Sequence, residues 1–265
     1  MLVAGIDIGS RTTVALLLRD KKVLSYDIAF SGPDNVSVAR GVMEAALSKI
    51  DAEFDAVEYI VATGYGRLII PFAQENVSEI SCHAMGANHY FPSARTVLDM
   101  GGQDCKAMRV DGKGNVIKFA MNDKCAAGTG RFLEVMADTL RLPLEEIGEL
   151  SLKSKNEVKI ASQCTVFAKY EVASLMRKGI PKEDILAGLH EAISDRVFGL
   201  LQKVGVEKDF VITGGIAKNI GVVRRLEKKV QLQTLIPAEP QIVGALGAAL
   251  IAEDKLSQKQ FLQRD

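Results

Sequence analysis

A pattern that occurs twice constrains the fold of this 265-residue chain more than any other feature of its sequence. Asp7-Ile8-Gly9-Ser10 and Asp99-Met100-Gly101-Gly102 each end an apolar run, and in both places a hairpin and a further strand are expected to follow. Repetition of one supersecondary unit within a chain is typical of two related structural units. The repeat therefore predicts two lobes that face each other, with Asp7 and Asp99 in the cleft between them.

The spacing of apolar residues predicts strands and helices on both sides of the repeat. Strands are expected at residues 2–8, 13–19, 22–28 and 57–62, and again at 96–100, 105–110, 116–121 and 210–213. Helices are expected after an Asp34-Asn35 cap and at residues 130–142, 165–178, 182–204 and about 241–253, before a charged tail. We therefore expect an α/β fold. Lobe I is predicted to comprise residues 1–94 plus a C-terminal helix at about 241–255, and lobe II residues 95–240.

The charge balance excludes several classes of partner. Lysine plus arginine and aspartate plus glutamate both number 33, so no net charge attracts nucleic acid or an anionic membrane surface. No apolar run approaches membrane-spanning length, and the first residues lack the basic region of a signal peptide. We therefore expect a cytoplasmic protein whose four cysteines are reduced or metal-bound.

Small and hydroxyl-bearing residues follow each aspartate of the repeat. Glycine lets backbone N–H groups approach phosphate oxygens, and hydroxyl groups add hydrogen bonds without bulk. The first loop leads into a strand and lacks the Gly-Lys-Ser/Thr of a Walker-A loop. The residues expected to hold phosphates are Gly9, Ser10, Thr12, Thr13, Gly101 and Gly102. A carboxylate beside such a loop suits Mg²⁺, so we expect Asp7 and Asp99 to organise this cation.

A third glycine-containing segment follows the strand predicted at residues 210–213. Glycines at this point would let a flat adenine base lie against the backbone. The residues expected to contact the nucleoside are Gly214, Gly215, Ala217 and Asn219. Each of the three segments alone is credible as an ordinary turn at a strand end, whereas all three in this order favour a nucleotide site.

These segments resemble those of the actin, Hsp70 and sugar-kinase superfamily of ATPases. The two Asp-x-Gly hairpins are similar to its paired phosphate loops, and residues 213–219 are similar to its adenosine loop. The resemblance implies two ribonuclease-H-like lobes around a central nucleotide cleft. It also implies Mg-ATP between the lobes and hinging that depends on the nucleotide.

Four motifs resemble a narrower group within that superfamily. They are Thr63-Gly64-Tyr65-Gly66-Arg67 and the segments at residues 99–106, 124–132 and 162–167. In this order, and over nearly the whole chain, they are similar to the ATP-dependent activators of 2-hydroxyacyl-CoA dehydratases and benzoyl-CoA reductases. The resemblance implies a homodimer with one 4Fe-4S cluster held between the subunits by two cysteines from each.

Cys125 and Cys164 are the candidate cluster ligands. Each precedes a helical pattern, and a helix N-terminus carries unpaired N–H groups and a positive dipole end that stabilise a thiolate or an anionic cluster. Cys82, in a helical pattern, and Cys105, beside the second phosphate loop, are expected to be buried apolar residues. Two alternatives stay open: four cysteines of one subunit around a cluster, and a zinc ion bound by two cysteines from each of two chains.

The remaining candidate residues surround the expected phosphates. Gln103 is expected to position the attacking water, by analogy with glutamines in other nucleotidases, with Asp104 assisting. Gly128 and Thr129 are expected at the nucleotide, and Glu134, on the helix that follows them, either reaches a ribose hydroxyl or lies on a solvated face. Arg11 either contacts a phosphate or faces solvent.

The function that these expectations favour is an ATP-hydrolysing iron–sulfur activator. It would deliver a low-potential electron to a 2-hydroxyacyl-CoA dehydratase or related CoA-ester reductase, with ferredoxin or flavodoxin as the donor. The main alternative is a small-molecule kinase of the same fold, of amino-sugar type, in which Asp104 is the base. A second alternative is an actin-like assembly scaffold.

Overall fold

The computed structural model describes residues 1–122, 128–156, 158–161 and 164–262. Its strands form two five-stranded sheets. The first sheet contains β1 (Val3–Ile8), β2 (Thr12–Arg19), β3 (Lys22–Phe30), β4 (Tyr59–Thr63) and β5 (Glu75–Asn76). The second contains β6 (Thr96–Met100), β7 (Cys105–Val110), β8 (Val116–Asn122), β9 (Phe210–Thr213) and β10 (Thr234–Leu235).

Both sheets have the same connectivity. The first has the order β3-β2-β1-β4-β5 and the second the order β10-β9-β6-β7-β8, which is the same order read from the other edge. In each sheet the first three strands are antiparallel, and the fourth runs parallel to the first. The α/β fold with two related lobes is therefore confirmed.

Eight helices cover the sheets within the described part of the chain. They are α1 (Asn35–Ser48), α2 (Glu79–Tyr90), α3 (Gly130–Leu140), α4 (Ile147–Ser151), α5 (Thr165–Arg177), α6 (Lys182–Val204), α7 (Ile220–Val230) and α8 (Val243–Leu262). Asp34 caps α1 as predicted, because its side chain accepts a hydrogen bond from Ser37 N at 3.1 Å. None of the described helices is long and apolar enough to cross a membrane.

The strand at the centre of the first sheet is buried on both faces. Ala4, Ile6 and Ile8 face the core formed with α1, whereas Val3 faces the core formed with α8. A side chain at Gly5 would overlap the backbone of α8 at Ala245, so this glycine permits close packing of the helix on β1. Asp7, at the end of β1, lies on the α8 face, where its carboxylate approaches Gly244.

The last helix differs from its prediction. It runs over Val243–Leu262 and includes most of the segment predicted as a charged tail. Leu256 packs against the α8 core, and the buried Glu253 carboxylate accepts hydrogen bonds from Lys21 N at 3.1 and 3.3 Å. Beyond the predicted end, Lys255 Nζ lies 3.1 Å from Glu75 Oε1 of β5, and Lys259 Nζ lies 3.3 Å from the Tyr59 hydroxyl group of β4. These contacts with the first sheet stabilise the helix beyond the limit that its own sequence pattern indicates. The short elements β5, β10 and α4, and the helix α7, were not predicted.

Candidate nucleotide site

A cavity of about 480 Å³ lies between the two sheets, and all three predicted nucleotide segments line it. The candidate residues in its wall are Asp7, Gly9, Ser10, Arg11, Thr12, Asp99, Gly101, Gly102, Gln103, Asp104, Glu134, Gly214, Gly215 and Asn219. The structure thus brings together residues from both halves of the chain at the place where β1 and β6 end.

Four candidate nucleotide residues are not in the cavity wall. Thr13 and Thr129 are fully buried, and Thr13 Oγ1 lies 2.9 Å from Ser31 Oγ. Gly128 has a positive φ of 101°, and its carbonyl accepts a hydrogen bond from Cys105 Sγ at 3.1 Å. Ala217 is buried in the core of the second lobe. In this structure these residues shape the loops behind the wall.

The two phosphate hairpins are built by the same hydrogen bond. Gly9 N donates to Thr12 O at 3.0 Å, and Gly101 N donates to Asp104 O, also at 3.0 Å. The hairpins lie against each other, because a side chain at Gly102 would come within 2.6 Å of Arg11 Cβ. An approach this close requires a residue without a side chain at position 102, and it brings the two turns together in the wall of the cavity.

A second pair of equivalent positions lies beside the two aspartates. Asp7 pairs with Thr63 across β1 and β4, and Asp99 pairs with Thr213 across β6 and β9. The glycine that follows each threonine has a positive φ, 83° at Gly64 and 82° at Gly214. Each glycine lies against the carboxylate of its lobe, and a Cβ on Gly214 would come within 2.8 Å of Asp99 Oδ1. Sequence analysis missed Gly64 as a site residue, although the repeat relates it to Gly214.

A buried lysine side chain, which was not among the predicted site residues, faces the second aspartate. Lys106 Nζ lies 2.7 Å from Asp104 Oδ1 and 3.6 Å from Asp99 Oδ2, and the residue is only 3% exposed. Burial acts to lower the pKa of Lys106, but Asp99 and Asp104 outweigh it and raise that pKa above its ordinary value. The ammonium group therefore stays charged in the cleft. The available signal was a single lysine among the apolar residues of the predicted strand at 105–110.

The negative charge of the Asp7 carboxylate has less compensation from neighbouring positive groups. Burial raises the pKa of Asp7 to about 6, His83 opposes that rise, and Asp99 adds to it. A carboxylate in this state favours a cation beside it. The described residues contain no group of three or more His, Cys, Asp or Glu side chains arranged to hold a metal ion. A cation between Asp7 and Asp99 would therefore complete its coordination with water and phosphate oxygens.

Arg11 and Glu134 form an ion pair at the cleft. Arg11 Nε lies 2.7 Å from Glu134 Oε1, and Arg131, on the same helix as Glu134, donates to the other carboxylate oxygen at 2.9 Å. The Arg11 guanidinium also lies over the Phe30 ring, 5.4 Å from its centroid. Neither predicted alternative for Arg11 or Glu134 included this pair, because the two residues are far apart in sequence.

Asn219 lines the cavity, and its side chain also forms hydrogen bonds within the second lobe. Its Oδ1 accepts from Val222 N at 3.1 Å and caps α7, and it lies 3.1 Å from Nε2 of the buried His190. This oxygen is therefore occupied within the lobe. The side-chain amide nitrogen is the group of Asn219 that is left to face a nucleoside.

The cysteines separate into two kinds of environment. Cys82 and Cys105 are buried, and burial raises the pKa of Cys82 to about 12 and raises that of Cys105 further. Cys164 is exposed and occupies the N-terminal cap position of α5. Cys125 lies outside the described residues. The two thiols predicted to be apolar core residues are thus in the core, and Cys164 is accessible.

Two lobes of equal connectivity, with paired Asp-x-Gly hairpins at the cleft between them, have the fold of the actin, Hsp70 and sugar-kinase class. A glucokinase of the ROK family from Streptomyces griseus shares this fold, with a TM-score of 0.60 at 15% identity over 96% of this chain and 100% of that one. The chain belongs to the BadF/BadG/BcrA/BcrD ATPase family, whose sequence model matches residues 4–252.

Relatives within this family match almost from end to end. The activator of lactoyl-CoA dehydratase from Anaerotignum propionicum is 43% identical over 98% of this chain and 100% of its own length. The (R)-2-hydroxyglutaryl-CoA dehydratase activating ATPase from Acidaminococcus fermentans is 43% identical over 96% of this chain and 98% of its own. A solved activator of 2-hydroxyisocaproyl-CoA dehydratase from Clostridium difficile, with bound ADPNP, superposes with a TM-score of 0.93 at 40% identity, covering 98% of this chain and 97% of that one.

Proposed function

We propose that the chain is an ATP-hydrolysing activator that delivers a low-potential electron to a 2-hydroxyacyl-CoA dehydratase or a related CoA-ester reductase. The observation that carries this proposal is the TM-score of 0.93 to an activator with bound ADPNP, over nearly the full length of both chains. In this proposal residues 1–94 and the helix at about 241–255 form one lobe, residues 95–240 form the other, and ATP binds between them.

The phosphate end of the cleft supports ATP hydrolysis. Asp7 and Asp99 would organise Mg²⁺ through water, and the Gly9 and Gly101 hairpins would hold the phosphate oxygens. Lys106 would supply positive charge where negative charge accumulates during phosphoryl transfer. Gln103 lines the same cavity and would orient the attacking water.

The kinase alternative has less support from this geometry. It requires a free carboxylate to accept the proton of a substrate hydroxyl group, and Asp104 was the candidate. Asp104 Oδ1 lies 2.7 Å from Lys106 Nζ and accepts a hydrogen bond from this ammonium group, so that oxygen is already engaged within the protein rather than free for a substrate hydroxyl group. We therefore favour water activation by Gln103 over transfer of the phosphoryl group to a sugar.

The surface around Cys164 supports a shared metal centre. The thiol is exposed at the start of α5, where the N–H groups of the first turn point toward an anionic ligand. Val166, Phe167 and Tyr170 on the same helix are 59%, 66% and 70% exposed. A second copy of the chain would cover this apolar surface and supply two further cysteines. Cys125 and Cys164 of each subunit would then hold one 4Fe-4S cluster, which carries the transferred electron.

A chain of contacts joins the nucleotide cleft to this surface. Gly130 N donates to Gly101 O at 3.0 Å, and Arg131 N donates to Gly102 O at 2.8 Å, so α3 begins on the second phosphate hairpin. Further along, α3 packs against α5 in the core of the second lobe. A nucleotide that binds two positions of the hairpin unequally would shift the equilibrium of α5, and with it the surroundings of Cys164.

Anaerobic purification followed by iron analysis and electron paramagnetic resonance tests the proposal. We expect a brown dimer with about four irons, a signal on reduction, and ATP-dependent electron delivery from ferredoxin or flavodoxin to a CoA-ester dehydratase. Cys125→Ser and Cys164→Ser should lose the iron, whereas Cys82→Ser, which changes a buried thiol, should retain it. A colourless protein that phosphorylates a sugar would show that the kinase alternative is correct.

A further inference from the structure

One buried side chain touches the phosphate-loop carboxylates of both lobes. His83 of α2 is 5% exposed, and its Nδ1 lies 3.5 Å from Asp99 Oδ1 and 3.1 Å from Thr213 Oγ1. On the other side of the ring, Nε2 lies 3.8 Å from Asp7 Oδ2. His83 is not among the site residues predicted from the sequence. The imidazole instead fills the space between the two aspartates that the repeat relates.

We propose that His83 is a positioning residue of the ATPase site, which sets the spacing between Asp7 and Asp99 that the lobes present to the phosphates and their cation. The proposal rests on the proposed ATPase function but not on the iron–sulfur centre. It assigns a role in hydrolysis to the helix α2, which carries none of the predicted nucleotide residues.

The helix that carries His83 is held by close backbone packing. A side chain at Gly247 of α8 would overlap the backbone of Cys82, and one at Gly86 of α2 would overlap the carbonyl of Val243. A side chain at Gly244 would overlap the Asp7 carboxylate and come within 2.9 Å of His83 Nε2. Three glycines thus fix the position of α2 relative to α8. His83 therefore lies on a rigid support, as a positioning residue requires.

The hydrogen bonds of the ring give it a defined orientation. In the tautomer that carries the proton on Nδ1, this nitrogen donates to Thr213 Oγ1, and the Thr213 hydroxyl donates to Asp99 Oδ1 at 3.4 Å. Asp99 is thereby held through Thr213, while Nε2 faces Asp7. The neighbouring buried positions of α2, Cys82 and Ala84, are non-polar. A polar ring at this position costs desolvation, and the hydrogen bond between Nδ1 and Thr213 Oγ1 offsets part of that cost.

The test compares two substitutions of His83 with a matched control. Asparagine places an amide near the position of Nδ1 and keeps the contact with Thr213, whereas alanine removes the contacts with both Thr213 and Asp7. We expect His83→Ala to lower kcat for ATP hydrolysis by about 10- to 100-fold and to raise the Mg²⁺ concentration for half-maximal activity, because a displacement of about 1 Å costs this much in rate. His83→Asn should recover most of the loss. His89→Ala, at the partly exposed end of the same helix, should match the wild type.

Two measurements separate this inference from the broader proposal. Calorimetric binding of ADP, with and without Mg²⁺, reports the cation site whether or not the protein hydrolyses ATP, and we expect His83→Ala to reduce the enhancement by Mg²⁺ at least threefold. Thr213→Val should reproduce part of that reduction. An unchanged Mg²⁺ effect in His83→Ala would overturn the inference. So would equal losses of kcat, ADP affinity and thermal stability that His83→Asn does not recover, since a purely structural role predicts that result.

Discussion

Arg11 and Glu134 join the two lobes at the nucleotide cleft through a bond of 2.7 Å between Arg11 Nε and Glu134 Oε1. Because the pair crosses the cleft, its removal should let the two lobes separate more readily. We expect Glu134→Gln to speed release of a fluorescent ADP analogue by about two- to fivefold in stopped-flow measurements. Stability should change by less than about 1 kcal/mol, because Arg11 is 44% exposed and the pair is screened by solvent.

Arg131→Gln is the control for this prediction. Arg131 binds the same carboxylate from the same helix, so its loss leaves the cross-cleft contact in place. Equal release rates in Glu134→Gln and the wild type would show that the ion pair does not restrain the cleft.

Lys106 should contribute to stability and be essential for hydrolysis. Lys106→Met leaves the Asp99 and Asp104 carboxylates without their shared cation, and breaking a buried pair of this kind costs about 3 kcal/mol or more. We expect a lower urea midpoint and no measurable ATPase activity. Adding Asp104→Asn should restore part of the stability without the activity. A stable, active Lys106→Met protein would contradict the assignment.

The glycines beside the two aspartates should respond alike to substitution. Gly64→Ala and Gly214→Ala each force a left-handed backbone on alanine and press its Cβ against a carboxylate. Gly179 also has a positive φ, 75°, but nothing lies within 4 Å of its Cβ position. Gly179→Ala should therefore lower the free energy of unfolding by only about 1 kcal/mol, because alanine must adopt a left-handed backbone conformation there, and it should retain ATPase activity. The two site variants should lose more stability and bind Mg-ADP at least tenfold more weakly in calorimetry.

His190 should make the folded state sensitive to mild acid. Burial lowers the pKa of His190 to about 4, so between pH 6.5 and 4 the unfolded chain takes up a proton that the folded chain excludes. Stability from this group is complete above pH 6.5 and falls as the pH drops toward 4, by about 3 kcal/mol in total. Urea unfolding of the wild type and His190→Gln at pH 7 and pH 5 measures the difference. Identical pH dependence in the two proteins would rule out this account.

The repeat made much of the fold predictable. Hydrophobic patterning located the longer strands, and the two Asp-x-Gly turns located both walls of the cleft, because strand ends and tight turns are encoded locally. The equivalence of Asp7 and Asp99 also contained the relation between Gly64 and Gly214.

The polar contacts inside the cleft could not be predicted in the same way. His83 meets Thr213 across 130 positions of sequence, and Arg11 meets Glu134 across 123. Such pairs depend on how the lobes are packed, and no local pattern encodes that packing. The extension of α8 has the same cause, since Lys255 and Lys259 find their partners Glu75 and Tyr59 only in the folded chain.

The packing of α8 on Gly5 has a consequence for biosynthesis. The strands of the first sheet leave the ribosome early, but the helix that covers one of their faces is made only after the whole second sheet. Until then Val3, Leu16 and Leu18 lack the apolar partners that α8 provides. The later half of the chain can thus complete its own core before the earlier half does. A nascent chain that stalls before α8 is made would expose apolar surface to which chaperones bind.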